Sequence, residues 1–286
     1  MAPTYTRKPL VEGIAFAEGP RWRGDKLWFS DMYADRVMTV DMKGNLTEIV
    51  KVPTRPSGLG FDTKGRLLIV SMLDKKLLRL EKDGSLSTVA DLSSMAGGEL
   101  NDMLVDTKGR AYVGNLGYDI HGGAPQKDAD LILVDTNTGK ARIVAKGLTI
   151  PNGAVITPDG KTYIVAESRA FRISAFDIAP DGSLSNRRVF ADFKDGIPDG
   201  ICLDAEGAIW AAVPTKKEYV RVFEGTRIVD RIKIDDKNPI ACMLGGPDRK
   251  TFFMLLSISL DGKQGPGHTK GWIETTTVAV PGAGQP

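Results

Sequence analysis

Apolar runs of four to eight residues alternate along the whole chain with clusters of Gly, Asp, Asn and Lys. One phrase recurs: a polar turn ending in Gly, an apolar run, then a second strand-like run. It reads Trp22-Arg23-Gly24 before Leu27-Trp28-Phe29, and Asp62-Thr63-Lys64-Gly65 before Leu67-Leu68-Ile69-Val70. It returns at Asp106 to Gly109, Pro158 to Gly160 and Asp204 to Gly207, with a degenerate sixth copy at Pro247-Asp248-Arg249. The turn positions 24, 65, 109, 160, 207 and 249 are separated by 41, 44, 51, 47 and 42 residues. Within one unit the runs Lys161 to Ala166, Arg172 to Ile178 and Leu184 to Phe193 follow each other, with Asp181-Gly182 as a hairpin turn. Runs rich in β-branched and aromatic residues, bounded by turn formers, predict strands, and no stretch sustains helical periodicity. Six units of this length predict an all-β, six-bladed β-propeller. The last unit lacks its fourth run, and the run from Thr4 to Val11 is unassigned. The N-terminal strand is therefore expected to complete the last blade, with residues 1–286 as one domain.

Composition narrows the function classes. Lys+Arg 38 against Asp+Glu 36 gives a net charge of +2, without a basic block. Nucleic-acid binding needs a concentrated phosphate-neutralising surface, so it is not expected. No apolar run is long enough to span a bilayer, and the N-terminus lacks a signal-type apolar core, so a cytoplasmic chain away from membranes is expected. Cys202 and Cys242 are expected as reduced core thiols, because no CxxC spacing or neighbouring His suggests a metal. The tryptophans are expected between blades. No coiled coil or apolar stripe specifies an oligomeric state.

The repeat also locates candidate chemistry. The strand before each Gly turn is the innermost of its blade and lines the central channel. Reading eight residues back from the turns gives Ser57, Asn101, Asn152, Asp199 and Ala241; the shorter first unit aligns Glu18 with them. Two carboxylates and two carboxamides from four blades form a hard, oxygen-only set. Such a set suits one divalent cation: Ca²⁺ is expected, with Mg²⁺ or Mn²⁺ as alternatives and Zn²⁺ less suited. The competing reading is that Asn-Gly and Asp-Gly are simple turn formers.

Glu18-Gly19-Pro20, Asn101-Asp102, Pro151-Asn152-Gly153, Pro198-Asp199-Gly200-Ile201 and the tail Val280-Pro281-Gly282 resemble the regucalcin/gluconolactonase/luciferin-regenerating-enzyme family. The resemblance covers essentially the whole chain. It implies a six-bladed propeller with one divalent metal, commonly Ca²⁺ or Zn²⁺, and hydrolysis of lactones. It further implies Glu18, Asn152 and Asp199 as metal ligands, Asn101 as a metal or substrate ligand, and Asp199 also as general base or nucleophile. Sugar-lactonase members often carry Arg two positions before the Asn; here Glu99 stands there, a charge that would repel an anionic lactone. An aryl ester or organophosphate hydrolase on the same site, or a non-catalytic calcium-binding propeller, remain as alternatives.

Further substrate contacts are expected from His121, in the Gly-rich insertion Asn115 to Pro125, and from His268, in the insertion Asp261 to Lys270. Either is a candidate general acid or carbonyl-orienting group. Asp31, Ser71, Asn115 and Glu167 end the second run of successive units. Glu167 is the first choice among them for a role near the substrate, because Asn152 belongs to the same unit.

Overall fold

Six four-stranded antiparallel sheets make up the computed structural model, which describes residues 5–259 and 270–284. The innermost strands of blades 1 to 6 are Ala17–Arg23, Pro56–Phe61, Leu100–Val105, Pro151–Ile156, Ile201–Leu203 and Asn238–Gly245. In blades 1 to 5 the four strands follow in chain order from inside to outside. In blade 6 the order runs Asn238–Gly245, Thr251–Ser257, Gly271–Thr277 and then the N-terminal strand Lys8–Ile14. Lys8 pairs with Thr275 and Ile14 with Gly271, so the first strand closes the ring as expected. That strand lies a few residues later than the apolar run suggested, and Arg7, just before it, pairs with Asp236 and Glu274.

The turn positions behave as one register. Gly24, Gly65, Gly109, Gly160 and Gly207 all take positive φ, between 59° and 83°, and in the degenerate sixth copy Arg249 takes φ 57°. Asp62 shows why the phrase begins with an acid: its Oδ1 accepts the backbone N–H groups of Lys64 and Arg66, both at 2.9 Å. This is the side-chain-to-backbone closure that makes Asp a turn former.

Burial falls from the centre outward. The second strand of blade 2, Leu67–Ser71, is buried at every position, since neighbouring blades cover both of its faces. The outer strand Leu46–Lys51 has no buried residue and is half polar, with Thr47, Glu48 and Lys51. A strand covered on both faces reads as a continuous apolar run, whereas a rim strand must keep one side wet. Aromatic pairs lock adjacent blades: Trp22 stacks on Phe253 at 5.3 Å, Trp28 meets Phe61 edge-on at 5.3 Å, and Trp210 packs on Phe252 at 5.0 Å. Cys202 and Cys242 are buried free thiols with sulfurs 3.6 Å apart on neighbouring inner strands. Among the described residues no helix is long and apolar enough to cross a membrane.

Candidate functional site

The close convergence of the inner strands explains the dipeptides that mark them. A Cβ on Gly153 would lie 2.5 Å from the backbone nitrogen of Ile201, and one on Gly200 would lie 2.4 Å from the Cβ of Ala241. Neither glycine has a positive φ. Asn152-Gly153 and Asp199-Gly200 are therefore not turns: each Gly lets one blade's inner strand touch the next, and the residue before it sits at the channel mouth.

Glu18, Asn101, Asn152 and Asp199 all line one cavity of about 390 Å³ at that mouth. Ser57 and Ala241, the other two ring members, bring no ligand chemistry and are not among its lining residues. Asn152 donates its Nδ2 to Asp199 Oδ1 at 2.5 Å and to Ser168 Oγ at 3.3 Å. Asn101 donates its Nδ2 to the carbonyl of Pro151 at 3.2 Å. Both amides thus spend N–H groups on the protein, which fixes their orientation and leaves the two Oδ1 atoms for a ligand. Glu18 accepts the Gly19 N–H through one oxygen only, at 3.1 Å.

The electrostatics of these acids are unfavourable in isolation. Burial pushes the Glu18 carboxyl well above the usual range; the negative charges of Asp199 and Asp102 add to this, while the Gly19 N–H and Arg21 oppose it. Burial, with Asp102 as the second cause, pushes Asp199 up to about 7 against the hydrogen bond from Asn152. Asp102 is raised by burial and lowered by Arg21, which approaches it at 3.5 Å. Of these three clustered acids only Glu18 and Asp102 are eased by the Arg21 guanidinium, the arrangement that a cation relieves. The donor chemistry fits a hard divalent ion: two carboxylates and two amide oxygens, with no sulfur or imidazole among them. No group of three or more His, Cys, Asp and Glu side chains forms a metal cluster among the described residues, so the amides are indispensable to that fit.

The other candidates divide sharply. His121 lines the cavity, and its Nε2 lies 3.7 Å from Glu99 Oε2. Glu99 is not a lining residue; its carboxylate lies 3.8 Å from the guanidinium of Arg55, which also stacks over Tyr33 at 5.1 Å. The uncompensated negative charge expected at Glu99 is therefore offset by Arg55 from the preceding blade. His268 lies outside the described residues. Glu167, expected near the substrate, is not among the residues that line the cavity. Its carboxylate is fully buried and holds Arg172, Arg187, Ser174 and the backbone N–H of Thr149, three residues ahead of Asn152. Asp31 does the same for blade 1, accepting the N–H groups of Ala15 and Phe16 at 2.8 and 3.0 Å and so anchoring the approach to Glu18.

Sequence reasoning missed Arg21, Asp102 and Arg55, all of which act across blades. Arg21 was visible as an arginine inside an otherwise buried inner strand, an anomaly that itself signals a paired charge.

Residues 16–258 match the family described as SMP-30/Gluconolactonase/LRE-like region. A regucalcin of Xenopus laevis is 24% identical over 252 residues, covering 86% of this chain and 84% of its own. A protein named pentonolactonase XacC, of Haloferax volcanii, is 25% identical over 256 residues, covering 87% and 84%. The solved structure of a calcium-binding protein, regucalcin, from Agrobacterium tumefaciens shares the fold with a TM-score of 0.82 at 22% identity, covering 99% of this chain and 97% of that one. The family match spans the blades that carry Glu18, Asn101, Asn152 and Asp199, and the chain belongs to the SMP-30/gluconolactonase/LRE-like family.

Proposed function

We propose that the protein is a divalent-cation-dependent lactonase, with Ca²⁺ as the expected ion. The observation that carries this reading is the pairing of buried Glu18 with half-buried Asp199, flanked by the free carbonyl oxygens of Asn101 and Asn152 in a ligand-sized cavity. The family and the named pentonolactonase relative support the reaction class; the solved regucalcin described as calcium-binding supports the ion.

Glu18, Asn101, Asn152 and Asp199 would hold a divalent cation, which when bound would supply Lewis-acid stabilisation of charge on a carbonyl oxygen. The chain's own groups do the rest. Asp199, oriented through Oδ1 by Asn152, keeps Oδ2 to accept the proton of an attacking water. Asn101 retains a second N–H for the substrate, because only one is directed to Pro151. His121 lies on the same cavity and is placed to give a proton to the departing alkoxide.

The test is hydrolysis of a panel of lactones and aryl esters by protein stripped with chelator and resupplied with Ca²⁺, Mg²⁺, Mn²⁺ or Zn²⁺ in turn. Lactone turnover that returns with one cation and is lost in Asp199→Asn supports the reading. Cation binding with no turnover of either substrate class would replace it with a non-catalytic calcium-binding propeller. Turnover confined to aryl esters would replace it with an esterase.

A further inference from the structure

The six-fold register that places the ring ligands also dictates the wall above them. Two positions recur in every blade: the residue two before the ring residue, and the residue directly after the second strand. At the first position Phe16, Ile150 and Ile197 line the cavity. At the second, blades 1, 2, 3 and 5 contribute Met32, Met72, Leu116 and Pro214. The exception is Ser168 of blade 4, whose hydroxyl is already spent: it donates to Pro198 O at 2.8 Å and accepts from Asn152. The charged residues of the first position, Arg55 and Glu99, face each other and leave the cavity lining. The remaining polar liners are His121, Arg169 and Thr215, exposed at the surface, and the half-buried Tyr33. The cavity therefore has an oxygen-rich floor, a buried apolar wall and a wet polar mouth.

The backbone of Ile150, like that of Arg55 at the same position of blade 2, is left-handed. Its φ is +53°, a left-handed conformation that a β-branched residue rarely adopts. Glycine would hold it without strain, yet an isoleucine stands there, packed with Leu116, Tyr118 and Ile120 into an apolar cluster on the cavity. Strained side chains of this kind persist where the surroundings over-determine them and cluster at ligand sites.

Resting on the lactonase reading, we propose that the substrate is a lactone with an apolar alkyl or aryl body, and not a polyhydroxylated sugar lactone. The ester group meets the floor while the body lies against Phe16, Met72, Leu116 and Ile150. Hydroxyls held at that height would face methyl and methylene groups and lose their water without replacement. Each methylene buried there raises kcat/KM by roughly three- to fourfold.

The experiment compares kcat/KM for γ-butyrolactone, γ-hexalactone, γ-octalactone and glucono-δ-lactone with the cation-loaded protein. Calorimetry of the matching 2-alkylcyclopentanones, which are not hydrolysed, runs in parallel. A rise of at least thirtyfold from butyro- to octalactone, with gluconolactone below octalactone, is expected. Ile150→Gly should lower the octalactone-to-butyrolactone ratio roughly tenfold; Met72→Gln, in another blade, should do the same if the glycine variant does not fold. A flat alkyl series, or a preference for gluconolactone, would overturn the proposal while leaving the lactonase reading intact. If no lactone is turned over, the lactonase reading fails. In that case, chain-length-dependent ketone binding still supports the apolar wall, and its absence overturns it.

Discussion

Glu167 of blade 4 and Asp199 at the entry to neighbouring blade 5 are both carboxylates, and their surroundings give them opposite properties. Burial alone would raise both. At Glu167 burial is outweighed by the Ser174 hydroxyl, Arg172, the Thr149 N–H and Arg187, which together hold the carboxyl below the usual range. At Asp199 a single amide opposes burial and the charge of Asp102, and the carboxyl is pushed up to about 7. The satisfied acid is scaffold that braces the entry to Asn152. The unsatisfied acid faces the cavity, as its proposed role requires. In this propeller the count of donors around a carboxylate decides which way burial leaves its pKa.

Replacing each acid should break a different property. Asp199→Asn should lower turnover by roughly 10²–10⁴-fold, the usual value of a general base, while circular dichroism and the melting temperature of the cation-free protein stay unchanged or improve. Glu167→Ala should act in the opposite sense. The half-exposed Arg172 and Arg187 recover some hydration, so a loss of about 2–3 kcal/mol is expected. At roughly 2–4 °C per kcal/mol for a chain of this size, that is a fall in Tm of about 4–12 °C. A normal Tm for Glu167→Ala would contradict its bracing role.

Gly153→Ala tests why the ring exists at all. Its Cβ would lie 2.5 Å from a backbone nitrogen of the next blade, which cannot yield as a side chain would. A loss of about 1–3 kcal/mol is expected, read as a lowered denaturant midpoint. An unchanged midpoint would return Asn152-Gly153 to the status of a turn.

The smallest predicted effect is the pH dependence of the chelator-stripped protein. Because the Asp199 carboxyl is raised when folded, the native chain holds more protons than the unfolded chain between about pH 4 and 7. Its contribution to stability is therefore lost as pH rises through that window. Glu167, lowered when folded, contributes stability above its unfolded pKa that is lost only as pH falls through the folded value. Melting curves at pH 5 and pH 8 should show the stripped protein more stable at pH 5 by a few degrees, and saturating cation should remove the difference. The opposite slope would show that Asp199 is not the desolvated group described.

What was legible in the sequence follows the range of the interaction. The blade count, the turn register and the alignment of Glu18, Asn101, Asn152 and Asp199 are local: each depends on a strand length and a turn a few residues away. The degenerate sixth turn was legible for the same reason, and Arg249 takes the left-handed φ of the glycines it replaces. Arg21–Asp102 and Arg55–Glu99 were not legible, because they join blades across the channel or across a blade boundary and no local pattern pairs them. The role of Gly153 and Gly200 was also hidden. Asn-Gly and Asp-Gly look alike in a hairpin and in a channel strand, and only the backbone of the next blade distinguishes them. Glu167 shares a blade with Asn152, as the repeat indicates, yet its two arginine partners come from other strands of that blade and no local pattern pairs them with it.

The most direct test of the central claim is calorimetric titration of the stripped protein with Ca²⁺ near pH 6.5, in two buffers of different ionisation enthalpy. One cation per chain, bound with release of protons from the raised carboxyls and lost in Asp199→Asn, is the result this account predicts. Binding that releases no proton and survives Asp199→Asn, or no binding at all, would contradict it.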